Sequence, residues 1–423
     1  MSPKNPFHRA EFKNELLNFR AIPQNTQWVS VPEWVKFMHV AAKHLHNVFP
    51  RQSGYLFAMC LLHNLSVDPV HQLSPYQLRL YVDNLWTHLV PGVPWLWSSL
   101  FQEILFEKRK TSAPEFLEQL LDASERDPRN PNRHDTCLSW QYAMFTHRGN
   151  AKNTMADHVM IRSVGEVHLC LVADGISRST VGSGEDAIHV LQSVVDAHAT
   201  RMDTALQALD VTEDMETWVG RVKAFQLNFA QLLNAELIAA IRRRHPEKLL
   251  PSDDIMSLAC TILVLRRDVA VLAQCGDSGA FLFDANCLVP LTREHSVRYE
   301  NILARLYGRP TLVGPPGALT HLLPQAVNTS GVQVLVPSVG DLFSFSFVRL
   351  SAESRLLVST DGMIPRNPHK REYIARELRL CSQDMSPQEQ AQRLADRALE
   401  TMWSDNLGFA LWIPKLDPRI CVS

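Results

Sequence analysis

Five aspartates in this 423-residue chain stand where a carboxylate could be held rigidly: Asp157, Asp174, Asp277, Asp361 and Asp405. Asp174 closes the apolar run Val167-His-Leu-Cys-Leu-Val-Ala-Asp-Gly175, and Asp361 closes Arg355-Leu-Leu-Val-Ser-Thr-Asp-Gly362. These are the only two Asp-Gly pairs in the sequence. Asp277 lies in Gly276-Asp-Ser278 after another apolar run, Asp157 precedes His-Val-Met-Ile161, and Asp405-Asn406 precedes Leu-Gly-Phe-Ala-Leu-Trp412. One such aspartate alone is commonly a cap or a hairpin turn. A carboxylate at the end of a stiff strand keeps its place, and a glycine beside it lets backbone and ligand come close. A set of oxygen ligands without histidine or cysteine selects Mg²⁺ or Mn²⁺ over zinc. Carboxylates brought together repel one another unless cations lie between them. Two such ions about 3.5–4 Å apart can bridge and deprotonate a water, which then attacks phosphorus in line.

The elements that must position these residues follow from periodicity. After residue 136 the pattern is mixed. Strand-like runs occupy 140–146, 158–163, 167–173, 260–266, 269–274, 279–283, 287–291, 333–336, 342–348, 355–360 and 408–413. Residues 269–291 read as a β-meander with turn residues at 276–279 and 284–286. Helical patterns cover 184–199, 217–244 and 386–403; the second carries Phe225, Phe229, Leu232, Leu233, Leu237 and Ile241 on one stripe. Strands grouped with adjacent helices, without strict alternation, predict an α+β fold in layers.

Residues 1–123 read as a separate helical domain. Ser30-Val-Pro-Glu33, Ser74-Pro75 and Ser112-Ala-Pro-Glu115 are helix starts, and six of the nine tryptophans lie before residue 141. Such helices form a core or a partner-binding groove. The polar, proline-broken stretch 124–135 reads as the linker, which leaves 136–423 as the second domain.

Composition narrows the function. A net charge of −2 carries no electrostatic footprint for nucleic acid or an anionic membrane. Lys108-Arg-Lys110 and Arg242-Arg-Arg-His245 each end a predicted helix, where cations complement the dipole. The eight cysteines are scattered with no Cys-x-x-Cys, which points to a reducing compartment and away from structural zinc. The first residues lack the apolar segment of a signal peptide, and the longest apolar stretch, 55–62, is too short to span a bilayer. A soluble cytoplasmic protein is expected.

The order of motifs from about residue 140 to 413 resembles the PP2C (PPM) family of metal-dependent serine/threonine protein phosphatases. The matching pieces are Gly149-x-x-Lys152-x-x-x-x-Asp157, Val172-Ala-Asp-Gly175, Ala259-Cys-Thr261, Cys275-Gly-Asp-Ser278, Leu291-Thr-Arg-Glu-His295, Val358-Ser-Thr-Asp-Gly362 and Ser404-Asp-Asn-Leu407. The resemblance implies a β-sandwich flanked by helices, in αββα layers, a part in signalling, and hydrolysis of phosphoserine or phosphothreonine in proteins by a hydroxide between two ions. It implies that Asp174 bridges the two ions, that Gly175 offers its carbonyl to one, and that Asp361 and Asp405 complete the first. Asp157 would either support the direct ligands from behind or hold the second ion through water, and Asp277 would hold a third, weaker one. Lys152 stands where the family has an arginine on the substrate phosphate; lysine keeps the charge and loses the bidentate fork.

Departures from the pattern sharpen the alternatives. Ala156 replaces a glutamate, Ile176 a histidine carried by some members, Ser177-Arg178 a Gly-Gly pair, and Gly279 an arginine. These losses spare the direct ligands. Decay of a metal enzyme strikes ligands first, because clustered charges without metal are costly. An active phosphatase is therefore expected, using Mn²⁺ or Mg²⁺ on a phosphorylated protein. The competing reading is a catalytically weak or inactive binding module of the same fold, a pseudophosphatase acting through its N-terminal helices and their protein partner.

Overall fold

The computed structural model describes residues 138–416, apart from 151–152, 177–178, 211–214, 285–286, 293, 298–299, 302–309, 351, 353, 364–367, 383–384 and 401–404. The helical domain expected over 1–123 and the linker at 124–135 lie outside the described residues. Those described belong almost entirely to one compact unit, Asp135–Glu300 with Leu312–Ser423.

Among the described residues, twelve strands and five helices build this unit. The strands are β1 (Leu138–His147), β2 (Asp157–Val164), β3 (Val167–Gly175), β4 (Leu258–Arg266), β5 (Val269–Cys275) and β6 (Gly279–Asp284). They continue as β7 (Cys287–Pro290), β8 (Ala326–Thr329), β9 (Val332–Leu335), β10 (Ser344–Arg349), β11 (Arg355–Ser359) and β12 (Leu407–Leu416). The helices are α1 (Gly184–Ala197), α2 (Ala199–Leu209), α3 (Met215–Arg244), α4 (Pro368–Leu380) and α5 (Pro387–Glu400). One antiparallel sheet runs β1-β12-β11-β6-β7 and the other β10-β5-β4-β3-β2; β8 and β9 form a separate hairpin.

The sheets lie face to face, with β12 on β2 and β3, and β11 and β6 on β4. Helices α1, α2 and α3 cover the outer face of the second sheet, through β2, β3 and β5; α4 and α5 cover the first, through β7, β1 and β12. The α+β expectation is met, and the described residues stack as helix, sheet, sheet, helix. Strand periodicity sorts side chains between these layers. On β3, Val167, Leu169, Leu171 and Ala173 join the core beneath the helices, so the alternate residues Cys170, Val172 and Asp174 face the other sheet. On β12, Leu407, Phe409 and Leu411 join the core under α4 and α5. Every residue of β4 is buried, as a central strand covered on both faces requires.

One topological expectation is corrected. Residues 269–291 are not a three-strand meander, because β5 belongs to the second sheet and β6 to the first. Gly276-Asp277-Ser278 is the crossing between sheets, with Gly276 at φ 86°, and only β6 and β7 form a hairpin. Three elements had no sequence expectation. Helix α2 follows α1 after His198 alone, α4 is charge-rich with Ile374, Ala375 and Leu378 buried, and β8 is largely exposed. The strand expected from residue 342 begins at Ser344, after a 3₁₀ turn at Gly340–Leu342.

Candidate metal centre

The two sheets bring the predicted aspartates to one end of the sandwich. Antiparallel pairing of β2 and β3 sets Asp157 directly opposite Asp174, with both side chains on the face turned toward the other sheet. Asp361 follows β11 and Asp405 precedes β12, adjacent strands of that other sheet; Asp277 sits in the crossing turn. Burial and then the charges of Asp157, Asp361, Asp277 and Asp405 push the Asp174 carboxyl well above the usual carboxylate range. Five carboxylates far apart in sequence thus share one electrostatic neighbourhood. Among the described residues, no three His, Cys, Asp or Glu side chains are already drawn together as ligands of a single ion. The register and hydrogen bonds fix the framework on which they meet, and the donor set is all oxygen, which suits Mg²⁺ or Mn²⁺.

Glycines let these segments touch. A Cβ on Gly175 would overlap the Gly184 carbonyl at the start of α1, and one on Gly184 would overlap the Gly175 carbonyl. A Cβ on Gly362 would overlap the Asn406 carbonyl, so Asp361-Gly362 and Asp405-Asn406 lie against each other. The space beside each Asp-Gly glycine is therefore taken by backbone. Gly175 also donates its N–H to the Ala156 carbonyl at 2.7 Å, which joins the residue before Asp157 to the residue after Asp174.

Four polar residues hold the aspartate segments. Thr360, 1 % exposed, donates its hydroxyl to Asp157 Oδ2 at 2.7 Å and accepts from the Gly408 N–H at 3.1 Å. Asn406, also buried, accepts from the Ala156 N–H at 2.7 Å through Oδ1. Its Nδ2 donates to the carbonyls of Arg148, at 2.7 Å, and Thr154, at 3.0 Å. Its backbone N–H donates to Asp405 Oδ1 at 2.8 Å. His295, fully buried, accepts from the Gly276 N–H at 3.2 Å through Nδ1; its Nε2 therefore carries the proton and donates to Ser344 Oγ at 2.8 Å. The Thr261 hydroxyl donates to the Ser278 carbonyl at 2.7 Å, so the Asp277 turn is braced on both sides. All four lie within the sequence motifs, which mark no role for them. Thr360 and Asn406 are chain neighbours of Asp361 and Asp405, which marks their place but not their hydrogen-bond partners; His295 and Thr261 carry no such mark.

The departures from the family pattern also find their places. Ala156 is buried and uses both backbone polar groups, with Asn406 and Gly175. Ile176 donates its N–H to the Ser257 carbonyl at 2.8 Å. Gly279 opens β6, where a Cβ would lie 3.0 Å from Thr292 Oγ1. Lys152 and Arg178 lie outside the described residues.

No protein-family model matches the sequence, and no curated protein matches it. Solved structures match the fold. The serine/threonine phosphatase of S. agalactiae is 18 % identical, over 65 % of this chain and 99 % of its own, with a TM-score of 0.47. The catalytic domain of the serine/threonine phosphatase PstP, solved in complex with two manganese ions, is 18 % identical over 66 % of this chain and 99 % of its own, TM-score 0.43. The PPM Ser-Thr phosphatase MsPP of Mycobacterium smegmatis, in complex with cacodylate, is 18 % identical over 64 % and 97 %, TM-score 0.40. These structural neighbours are PP2C-type serine/threonine phosphatases. At such identities the likeness is one of fold.

Proposed function

We propose that this chain is a metal-dependent phosphatase that hydrolyses phosphoserine or phosphothreonine in proteins. The observation that carries the reading is the convergence of Asp157, Asp277, Asp361 and Asp405 on Asp174. Carboxylates crowded in this way need a compensating positive charge. Asp174 and the Gly175 carbonyl, with Asp361 and Asp405, would hold the principal ions, Asp157 would steady a second, and Asp277 a third. Bound divalent ions supply an acidified water and neutralise charge on the phosphoryl group.

The residues around them have separate tasks. Lys152 is the candidate for the phosphate charge. Ile176 cannot donate a proton, so protonation of the leaving alcohol falls to solvent. Phosphoryl transfer depends mainly on positioning and electrostatics, so loss of a general acid lowers the rate without abolishing it. The N-terminal residues 1–123 are assigned to a protein partner and the whole chain to the cytoplasm; no helix among the described residues is long and apolar enough to cross a membrane.

The experiment is hydrolysis of a phosphothreonine peptide by the purified full chain with Mn²⁺, Mg²⁺ or EDTA. Turnover that needs the metal and is lost in Asp174→Asn and Asp361→Asn supports the reading. Metal binding without turnover on any phosphopeptide would instead favour the inactive binding module, which Ala156 and Lys152 speak for.

A further inference from the structure

The hydrogen bond between Thr360 and Asp157 crosses from one sheet to the other. Asp157 opens β2 of the second sheet, while Thr360 directly follows β11 and Gly408 lies in β12, both strands of the first. The Thr360 hydroxyl lies 2.7 Å from Asp157 Oδ2, 3.1 Å from the Gly408 nitrogen and 3.3 Å from the Gly408 carbonyl oxygen. It has one proton to give. The shorter contact, to a carboxylate, takes it, while the Gly408 N–H points at a hydroxyl lone pair. The Thr360 N–H donates to the Gly408 carbonyl at 2.8 Å, which occupies that acceptor and fixes the pair of residues. The hydroxyl thus has a single orientation, aimed at Asp157. Gly408 makes room for this arrangement, because a Cβ there would lie 3.2 Å from Asp157 Oδ2 and 3.3 Å from Thr360 Cγ2.

We propose that Thr360 is a positioning residue of the metal centre, which sets the plane of the Asp157 carboxylate from across the sandwich. Being next to Asp361, it also ties the two sheets' contributions to the centre into one unit. This inference rests on the metal-dependent reading above. The Thr360 hydroxyl is taken up by Asp157 and Gly408. It acts through Asp157, as groups that orient metal ligands do.

The test is Mn²⁺ binding by the full chain, followed by calorimetry without substrate, for wild type, Thr360→Val, Thr360→Ser and Gly408→Ala. Thr360→Val keeps the shape and removes the hydroxyl; it should weaken Mn²⁺ binding about 10- to 100-fold, the usual loss when such an orienting partner is removed. Thr360→Ser restores the hydroxyl and should recover most of the affinity. Gly408→Ala crowds the same hydrogen bond with Thr360 intact, so it reports even if the valine variant fails to fold, and it should weaken binding in the same direction. A valine variant that is less stable in EDTA yet binds Mn²⁺ like wild type would make Thr360 a packing residue and overturn the proposal. Wild type that binds no Mn²⁺, indistinguishable from Asp174→Asn, would instead overturn the metal reading and the proposal with it.

Discussion

Asp157 and Asp174 stand directly opposite each other on adjacent antiparallel strands. Like charges so placed weaken a sheet, by about 0.2–1 kcal/mol for an ordinary cross-strand pair. Here burial and three further aspartates add to the strain, and the Asp174 carboxyl is pushed well above its usual range. Under the proposed function, a fold that keeps this arrangement trades stability for a place to put cations.

The first prediction follows directly. In EDTA, Asp174→Asn removes the repulsion and should melt about 2–4 °C above wild type, the shift expected for about 1 kcal/mol in a domain of this size. With Mn²⁺ the order should reverse, because only wild type gains from binding. Thermal denaturation under both conditions checks it.

A second prediction concerns the backbone contact between Gly175 and Gly184. A methyl group on Gly184 would overlap the Gly175 carbonyl, and the obstacle is backbone rather than a flexible side chain. Gly184→Ala should therefore cost about 1–3 kcal/mol, the usual penalty of overpacking. It should also weaken Mn²⁺ binding, since α1 would push on the proposed ligand carbonyl. Denaturant unfolding and metal titration of the same variant measure the two effects.

The third prediction is a pH dependence. Burial lowers the His168 pKa below its ordinary value of 6.5, against an opposing pull from Asp210. Its ring contacts Ser163 Oγ at 2.8 Å and packs near Tyr142 and Trp412. The unfolded chain therefore binds a proton more readily than the folded one. The stabilisation is complete above pH 6.5 and is lost as the pH falls from there toward the lowered folded value. His168→Gln should flatten the melting temperature between about pH 7.5 and 5.5, and thermal scans across that window decide it.

The buried thiols give a fourth. Burial pushes Cys170 and Cys260 up to about 12, and Cys275 is raised as well. The thiolate is the nucleophile, so these three should stay unlabelled by iodoacetamide at pH 8 in the native protein and react only on denaturation. Peptide mass analysis before and after urea tests this.

Much of the scaffold was legible because apolar runs of strand length carry their own signal. The run 167–175 predicted β3 and the placement of Asp174 at its end, and the stripe on 217–244 predicted α3. The crossing at Gly276-Asp277-Ser278 was not legible, because the same turn residues serve a hairpin within one sheet and a passage between two. Thr360 and Asn406 were missed for another reason. Their partners Asp157 and Ala156 lie 203 and 250 residues away, and nothing local marks a hydroxyl or amide for such a contact. Convergence of the five aspartates was inferable only as a joint proposition, since each alone has an ordinary use as a turn or a cap.

The most direct measurement is anomalous diffraction at the manganese edge from crystals of the full chain grown with MnCl₂. At least two manganese peaks are expected at the end of the sandwich that carries the aspartates, both touching the Asp174 carboxylate, with Asp361 and Asp405 on one of them. Manganese bound elsewhere, or none at Asp174 in crystals diffracting well enough to show its side chain, would contradict the metal-dependent reading.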